Sequence, residues 1–180
     1  PAGITFYREV IAAAKKNGLK PHVSLFHFST PEWLWEEQGG ERGWEREDAL
    51  QHWNRYVTAV SELLGPEISH WCTLNEPMVY VLWGYLEGIF PPLEQRANPE
   101  ATAPVVARLL EAHASAYQIL HRDAAQRNQT IKVGLTQHTR AFEPWRNWHL
   151  FDRLAADFIQ QAFIWDIFDA IESGTYTMTD

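Results

Sequence analysis

The chain has 180 residues, and its 46% hydrophobic and 21% charged residues are typical of a folded globular protein rather than a disordered one. The formal net charge is −8 and Lys and Arg do not cluster, which argues against nucleic acid and against a membrane surface as partners. The apolar runs all fall short of the roughly 20 residues that span a bilayer, and the single cysteine, Cys72, excludes an internal disulfide.

Helical and strand-like segments alternate along the chain. Apolar residues three and four apart predict helices, short apolar runs predict strands, and Gly or Pro marks most of the ends. In chain order the predicted elements are helix Ile4–Asn17, strand Pro21–Phe26, helix Asp48–Leu64, strand Ile68–Leu74, helices Pro77–Leu86 and Glu100–Arg127, strand Ile131–Thr136 and helix His149–Ile171. This alternation predicts an α/β fold with a parallel sheet and right-handed crossovers.

Two architectures fit such a sheet, the doubly wound fold and the (β/α)₈ TIM barrel. The loops that follow the strands lack the Gly-rich turn of a nucleotide-binding doubly wound fold. Polar residues cluster at the carboxyl ends of the strands, where barrels hold their catalytic groups, although open sheets also bind ligands at that edge. We therefore favour a barrel. Three strands cannot close a barrel of eight strands and roughly 250 residues, so residues 1–180 are expected to form a single incomplete barrel segment.

The exposed edges of such a segment need a cover, which we expect to come from the rest of the barrel or from another copy of the chain. The chain begins with Pro1 rather than Met, which suggests that it was cut from a longer protein. No signal peptide is visible, and the weak expectation for localisation is therefore cytoplasmic.

Asn75-Glu76-Pro77 follows the second predicted strand. Glycosidic cleavage needs a carboxylic acid that protonates the departing oxygen and a second carboxylate across the bond, and Glu76 suits the first role. The alternative is structural: Asn75 caps the next helix and Glu76 is an acidic residue of its first turn. The motif by itself leaves both interpretations open.

Other polar groups and aromatics accompany this motif. His27 ends the first strand with Phe28 and two Trp close behind, and Gln137 and His138 end the third strand. Nine Trp in one chain suit either sugar stacking or core packing. A metal site at His27, Glu76 and His138 lacks compact ligand spacing, and a serine hydrolase would need a Gly-x-Ser-x-Gly elbow that is missing here. We therefore expect neither.

The motifs in order resemble glycoside hydrolase family 1, the β-glucosidase/β-glycosidase family. The similar segments are Phe26-His27-Phe28-Ser29-Thr30-Pro31, Gly43-Trp44, Trp71-Cys72-Thr73-Leu74-Asn75-Glu76-Pro77, Gly84-Tyr85 with Phe90-Pro91-Pro92, Ala112-His113 and Gly174-Thr175-Tyr176. The resemblance covers about strands three to five of eight. It implies hydrolysis of β-glucosides or β-galactosides with retention of configuration, and no metal or organic cofactor.

By the same resemblance, Glu76 is the general acid/base, Asn75 contacts the sugar 2-hydroxyl, and His27 binds the sugar with Phe28 in the position where the family usually has Trp. The family's nucleophile lies in a Thr-Glu-Asn-Gly motif that does not occur in this chain. The resemblance therefore implies a catalytically incomplete segment. The competing hypothesis is a non-catalytic half barrel that binds carbohydrate or has a structural role.

Overall fold

The computed structural model describes residues 2–179 and contains six α-helices and three β-strands within them. The helices are α1 (Ala2–Lys16), α2 (Ala49–Leu64), α3 (Pro77–Val81), α4 (Ala103–Gln126), α5 (Leu150–Gln160) and α6 (Asp166–Ser173). The strands are β1 (His22–Phe26), β2 (His70–Asn75) and β3 (Lys132–Thr136). The alternation that the sequence predicts is confirmed, and Gly18 ends α1 with a φ of 75°, in the left-handed conformation expected for it.

Three of the predicted helices differ from the observed ones. The helix predicted at Pro77–Leu86 is α-helical only to Val81 and continues as a π turn at Leu82–Leu86. The long helix begins at Ala103 rather than Glu100, because Asn98 caps a short 3₁₀ turn at Pro99–Thr102 and Pro104 has no N–H with which to continue an earlier helix. The last helix is interrupted by a π-helical turn at Gln161–Trp165. Beside this turn, the side-chain amide of Gln161 donates to the Asp166 carboxylate at 3.0 Å.

The three strands form one parallel sheet in the order β1-β2-β3. Phe26 pairs with Leu74 and Asn75 pairs with Thr136, so the carboxyl ends of all three strands meet at one edge. This arrangement confirms the predicted α/β fold with a parallel sheet. The long loops that follow the strands therefore start at a common edge.

The chain divides into two compact units that are described separately below. The first unit extends to Asn75 and includes Glu111–Thr136, and the second holds Glu76–Leu110 and the residues from Gln137 onward. The first unit's core contains the sheet and its covering helices, with fully buried residues such as Val57, Trp71, Leu74 and Ala116. The second unit's core contains Tyr80, Tyr85, Val105, Leu109 and Ile167. Each unit thus buries its own apolar side chains.

Three of the nine Trp residues follow the core-packing interpretation of their abundance. Trp44, Trp53 and Trp71 are buried, and the indole N–H of Trp53 donates to the carbonyl of Ala112 at 2.8 Å, so these three are core residues. Trp145 and Trp148, by contrast, are 90% and 79% exposed. Within residues 2–179, no helix combines the length and the apolar composition that a bilayer crossing requires.

Candidate active site

Asn75, the last residue of β2, is held in one orientation by two neighbours in the first unit. The Thr136 hydroxyl donates to the Asn75 carbonyl oxygen at 2.9 Å, and the Asn75 amide nitrogen lies 3.2 Å from Nε2 of His27. Because an amide nitrogen only donates, Nε2 of His27 accepts and its ring proton is on Nδ1. The structural alternative in which Asn75 caps the next helix is therefore wrong: α3 has Glu76 at its N-cap position, and the Asn75 side chain is engaged within the sheet edge.

His27 follows β1 directly and is exposed, with its ring 5.1 Å from that of Phe28 in an edge-to-face arrangement. Phe28 has a φ of 69°, and Glu76 has a φ of 44°. Left-handed backbone is uncommon in residues other than Gly, and it is enriched where a structure forces a side chain into a functional direction. Two of the predicted site residues therefore show this conformation.

Arg46 bonds the loop after β1 at several points. The Arg46 guanidinium donates to both carboxylate oxygens of Asp48 and to the backbone carbonyls of Trp33 and Glu36. This hydrogen bonding to Arg46 lowers the pKa of Asp48, and Asp48 in turn raises the pKa of Arg46. Trp33 is half exposed beneath this guanidinium. Sequence inspection had not identified Arg46 as the organiser of this aromatic loop.

Gly43 in the same loop is required by close packing. A Cβ atom there would lie 2.2 Å from the Trp35 ring, and the φ of 58° already disfavours other residues. The Trp35 indole N–H donates to the Thr30 hydroxyl at 2.7 Å, which fixes the ring from its other end. Gly43 and Thr30 thus set the position of one aromatic side chain in the loop that begins at His27.

Glu76 follows β2 directly and belongs to the second unit. Its backbone carbonyl accepts from the N–H of Tyr80, but its side chain makes no capping bond to α3. The carboxylate is instead 3.6 Å from Nδ1 of His138, and both side chains are about one third exposed, at 32% and 33% respectively. A carboxyl group in this position is accessible to a ligand and is not used to stabilise the helix. Pro77, at the first position of α3, fixes the backbone immediately after it.

His138 is bonded on its other side by Arg140, a residue that the sequence analysis did not select. The Arg140 guanidinium donates to Nε2 of His138 from Nε at 3.1 Å and from Nη2 at 2.7 Å. Gln137, also a candidate, donates from its side-chain amide to the backbone carbonyl of Phe163 at 2.8 Å. Its amide is therefore used to join the segment after β3 to the π turn of the last helix.

An apolar cavity of about 290 Å³ lies in the second unit, with Arg140 on its wall. Aromatic side chains from two regions line it, among them Trp83, Phe142, Phe158 and Phe163. The cavity could hold an apolar group beside the guanidinium that bonds His138. Among residues 2–179, no three His, Cys, Asp or Glu side chains gather closely enough to hold a metal ion.

Comparison with known proteins adds an independent line of evidence. The sequence model of glycosyl hydrolase family 1 matches residues 1–180. A coniferin β-glucosidase from Pinus contorta is 34% identical in an alignment of 158 residues that covers 81% of this chain and 30% of that protein. A raucaffricine-O-β-D-glucosidase from Rauvolfia serpentina is 29% identical over 97% of this chain and 36% of its own length.

Solved structures give the same picture. A β-glycosidase from Pyrococcus horikoshii superposes with a TM-score of 0.83 at 37% identity, over 98% of this chain and 38% of that one. A β-glucosidase from Thermotoga maritima in complex with glucoimidazole superposes with a TM-score of 0.84 at 25% identity, again over 98% of this chain and 38% of its own. The chain thus spans between 30% and 38% of the length of these four relatives.

Proposed function

This chain belongs to glycosyl hydrolase family 1, and we propose that it forms part of an enzyme that hydrolyses β-glycosidic bonds in β-glucosides or β-galactosides. The observation that carries the proposal is the carboxyl group of Glu76, which is partly exposed, directly follows a barrel strand and is not used as a helix cap. The structure of the Thermotoga maritima β-glucosidase in complex with glucoimidazole supports a glucoside as the ligand.

In the proposed reaction Glu76 acts twice. In the first step, its carboxylic acid gives a proton to the glycosidic oxygen while a second carboxylate attacks the anomeric carbon, and the bond from that carbon to the aglycone breaks. In the second step, the Glu76 carboxylate takes a proton from water, whose oxygen attacks the same carbon and releases the second carboxylate. Two inversions give net retention of configuration. The reaction uses carboxyl groups and water, and it needs no metal or organic cofactor.

We assign the sugar contacts to the first unit. Asn75 contacts the 2-hydroxyl, His27 binds sugar hydroxyls, and Phe28 supplies an apolar face. The hydrogen bonds from Thr136 to Asn75 and from Asn75 to His27 support this assignment, because they orient two polar side chains before a ligand arrives. His27 retains the N–H on Nδ1 as a donor for a hydroxyl.

The leaving group is assigned to the second unit's cavity. The acid acts on the aglycone side of the scissile bond. Arg140 lines the cavity and bonds His138, whose other nitrogen is near Glu76, so the cavity is linked to the acid through two side chains. Its apolar lining favours an aromatic or other apolar aglycone.

We further propose that residues 1–180 are one incomplete barrel domain, and that the nucleophilic carboxylate comes from outside them. The Thr-Glu-Asn-Gly motif is not in this chain, and the relatives are about three times as long. The missing group would be supplied by the rest of the barrel or by another copy of the chain. Neither nucleic acid nor a membrane is a proposed partner.

The test is Glu76→Gln in the full-length protein, because the amide keeps the shape of the side chain and cannot donate the proton. We expect kcat/KM for an alkyl β-glucoside to fall by about 10²–10⁴-fold. The loss should be much smaller for a dinitrophenyl β-glucoside, whose leaving group needs little protonation. Equal losses on both substrates would refute the acid role. An absence of turnover in the unaltered protein would favour the non-catalytic half barrel instead.

A further inference from the structure

We propose that His138 and Arg140 are positioning residues that hold the Glu76 carboxyl group in the orientation needed for proton transfer. In the second unit the Arg140 guanidinium bonds Nε2 of His138, and Nδ1 of the same ring lies 3.6 Å from the Glu76 carboxylate. The proposal rests on the acid/base function proposed above for Glu76. It assigns to His138 an indirect role rather than contact with the substrate.

The donor chemistry of Arg140 fixes the tautomer of His138. A guanidinium has five N–H donors and no acceptor, so the ring nitrogen that it contacts at 2.7 Å and 3.1 Å must accept. Nε2 of His138 therefore carries the lone pair, and in the neutral ring the proton is on Nδ1. This N–H is the side of the ring that faces Oε1 of Glu76 at 3.6 Å. Arg140 thus ensures that a donor, and not a second lone pair, faces the carboxylate.

The ring is also held by aromatic packing. His138 lies edge-to-face against Phe163 at 6.1 Å, and Phe142 contacts the same Phe163 ring at 6.2 Å. The Arg140 guanidinium is 5.9 Å from the centre of the Phe142 ring. Phe163 itself belongs to the π turn that interrupts the last helix, a feature that is frequent at functional sites. His138 is therefore positioned by aromatic contacts as well as by the hydrogen bonds from Arg140.

Glu76 needs such support because little else fixes its side chain. The carboxylate makes no bond to the N-terminus of α3, and within residues 2–179 His138 is the one basic side chain in ion-pair range of it. A Glu side chain has several rotatable bonds, and a misplacement of about 1 Å at a reacting group can cost about 10²-fold in rate. A donor near one carboxylate oxygen favours one rotamer and leaves the other oxygen to transfer the proton.

A direct substrate contact by His138 would give a different kinetic signature from a positioning role. A lost contact with the aglycone weakens binding, which raises KM for that aglycone. A misplaced acid instead slows bond cleavage, and the loss grows as the leaving group becomes poorer, because a poorer leaving group depends more on protonation. The dependence of kcat/KM on the leaving group therefore separates the two roles.

The experiment compares His138→Ala, His138→Asn and Arg140→Ala in the full-length protein, on an alkyl and a dinitrophenyl β-glucoside. We expect His138→Ala to lower kcat/KM for the alkyl substrate by about 10–100-fold and to affect the dinitrophenyl substrate little. His138→Asn should recover much of the loss, because its amide can place an N–H near the position of Nδ1. Arg140→Ala should show the same dependence of kcat on the leaving group and should also raise KM, because Arg140 lines the cavity assigned to the aglycone. The double variant should lower kcat no more than the worse single variant does.

Three reference variants make the outcome unambiguous. His121→Ala on α4 removes a partly exposed imidazole that bonds its own helix, and it should leave both rates unchanged. Glu76→Gln is also compared with the double variant Glu76→Gln/His138→Ala. If His138 acts through Glu76, adding His138→Ala should not lower kcat/KM any further. Three outcomes would overturn the proposal. They are an equal loss of kcat/KM on both substrates, a change confined to KM, and a further loss of kcat/KM when His138→Ala is added to Glu76→Gln. If Glu76→Gln itself shows no dependence on the leaving group, the acid function fails instead.

Discussion

Thr136→Val tests whether the oriented Asn75 amide matters for the reaction. The substitution keeps the shape of the side chain and suits a strand, but it removes the hydroxyl that donates to Asn75 at 2.9 Å. The contact from Asn75 to His27 at 3.2 Å remains. We therefore expect the loss to match one neutral hydrogen bond, about 1 kcal/mol, and not the whole sugar contact.

A free energy of about 1 kcal/mol corresponds to a decrease of about fivefold in kcat/KM. The assay compares a β-glucoside with its 2-deoxy analogue, because the proposed partner of Asn75 is the 2-hydroxyl. Thr136→Val should lower kcat/KM for the glucoside and leave the 2-deoxy substrate unaffected. Asn75→Ala, which removes the whole amide, should give a larger loss on the glucoside alone.

Thr58→Val on α2 is the matched control, because it makes the same chemical change away from Asn75 and should alter neither rate. The proposed role of Thr136 would be refuted if Thr136→Val lowered kcat/KM equally for both substrates, or if it changed kcat/KM for neither. In the first case the hydroxyl would serve the general stability of the sheet edge. In the second, the Asn75 amide would keep its orientation without Thr136.

Three further predictions concern stability and assembly. Burial lowers the pKa of His113 below its usual 6.5, so the unfolded state binds more protons than the folded state. The free energy of unfolding should therefore fall as the pH drops through and below 6.5. Urea titrations at several pH values should show that the free energy of unfolding depends less on pH in His113→Gln. Hydrogen bonds from Arg146 lower the pKa of Asp152 from 3.8 to about 2. The ionised Asp152 therefore stabilises the folded state above about pH 4, and this stabilisation is lost as the pH falls toward 2. The same pH titration of Asp152→Asn should lack this loss of stability. The isolated chain should associate, since Trp145 and Trp148 are largely exposed, and a cooperative 20.8 kDa monomer in light scattering would contradict that expectation.

The sequence was sufficient to predict the α/β alternation and the sheet, because local signals agree with the fold in those segments. Gly18 ends α1 where the periodic apolar residues stop, and the apolar run Ile68–Leu74 contains most of the central strand β2. The π turn at Gln161–Trp165 had no such signal. A π turn uses backbone hydrogen bonds between residues five apart, which the helical periodicity of the apolar residues does not reveal.

The sequence by itself also determined which residues are chemical candidates, since Asn75-Glu76-Pro77 and His27 stand out by residue type and by their places at strand ends. It left open whether Asn75 caps a helix or is oriented within the sheet edge. Only the tertiary structure decided this, because the answer depends on Thr136, which is 61 residues away in the chain. Arg140 was missed for a similar reason: an Arg in a loop has no distinctive pattern, and its importance comes from the single ring nitrogen that it contacts in space.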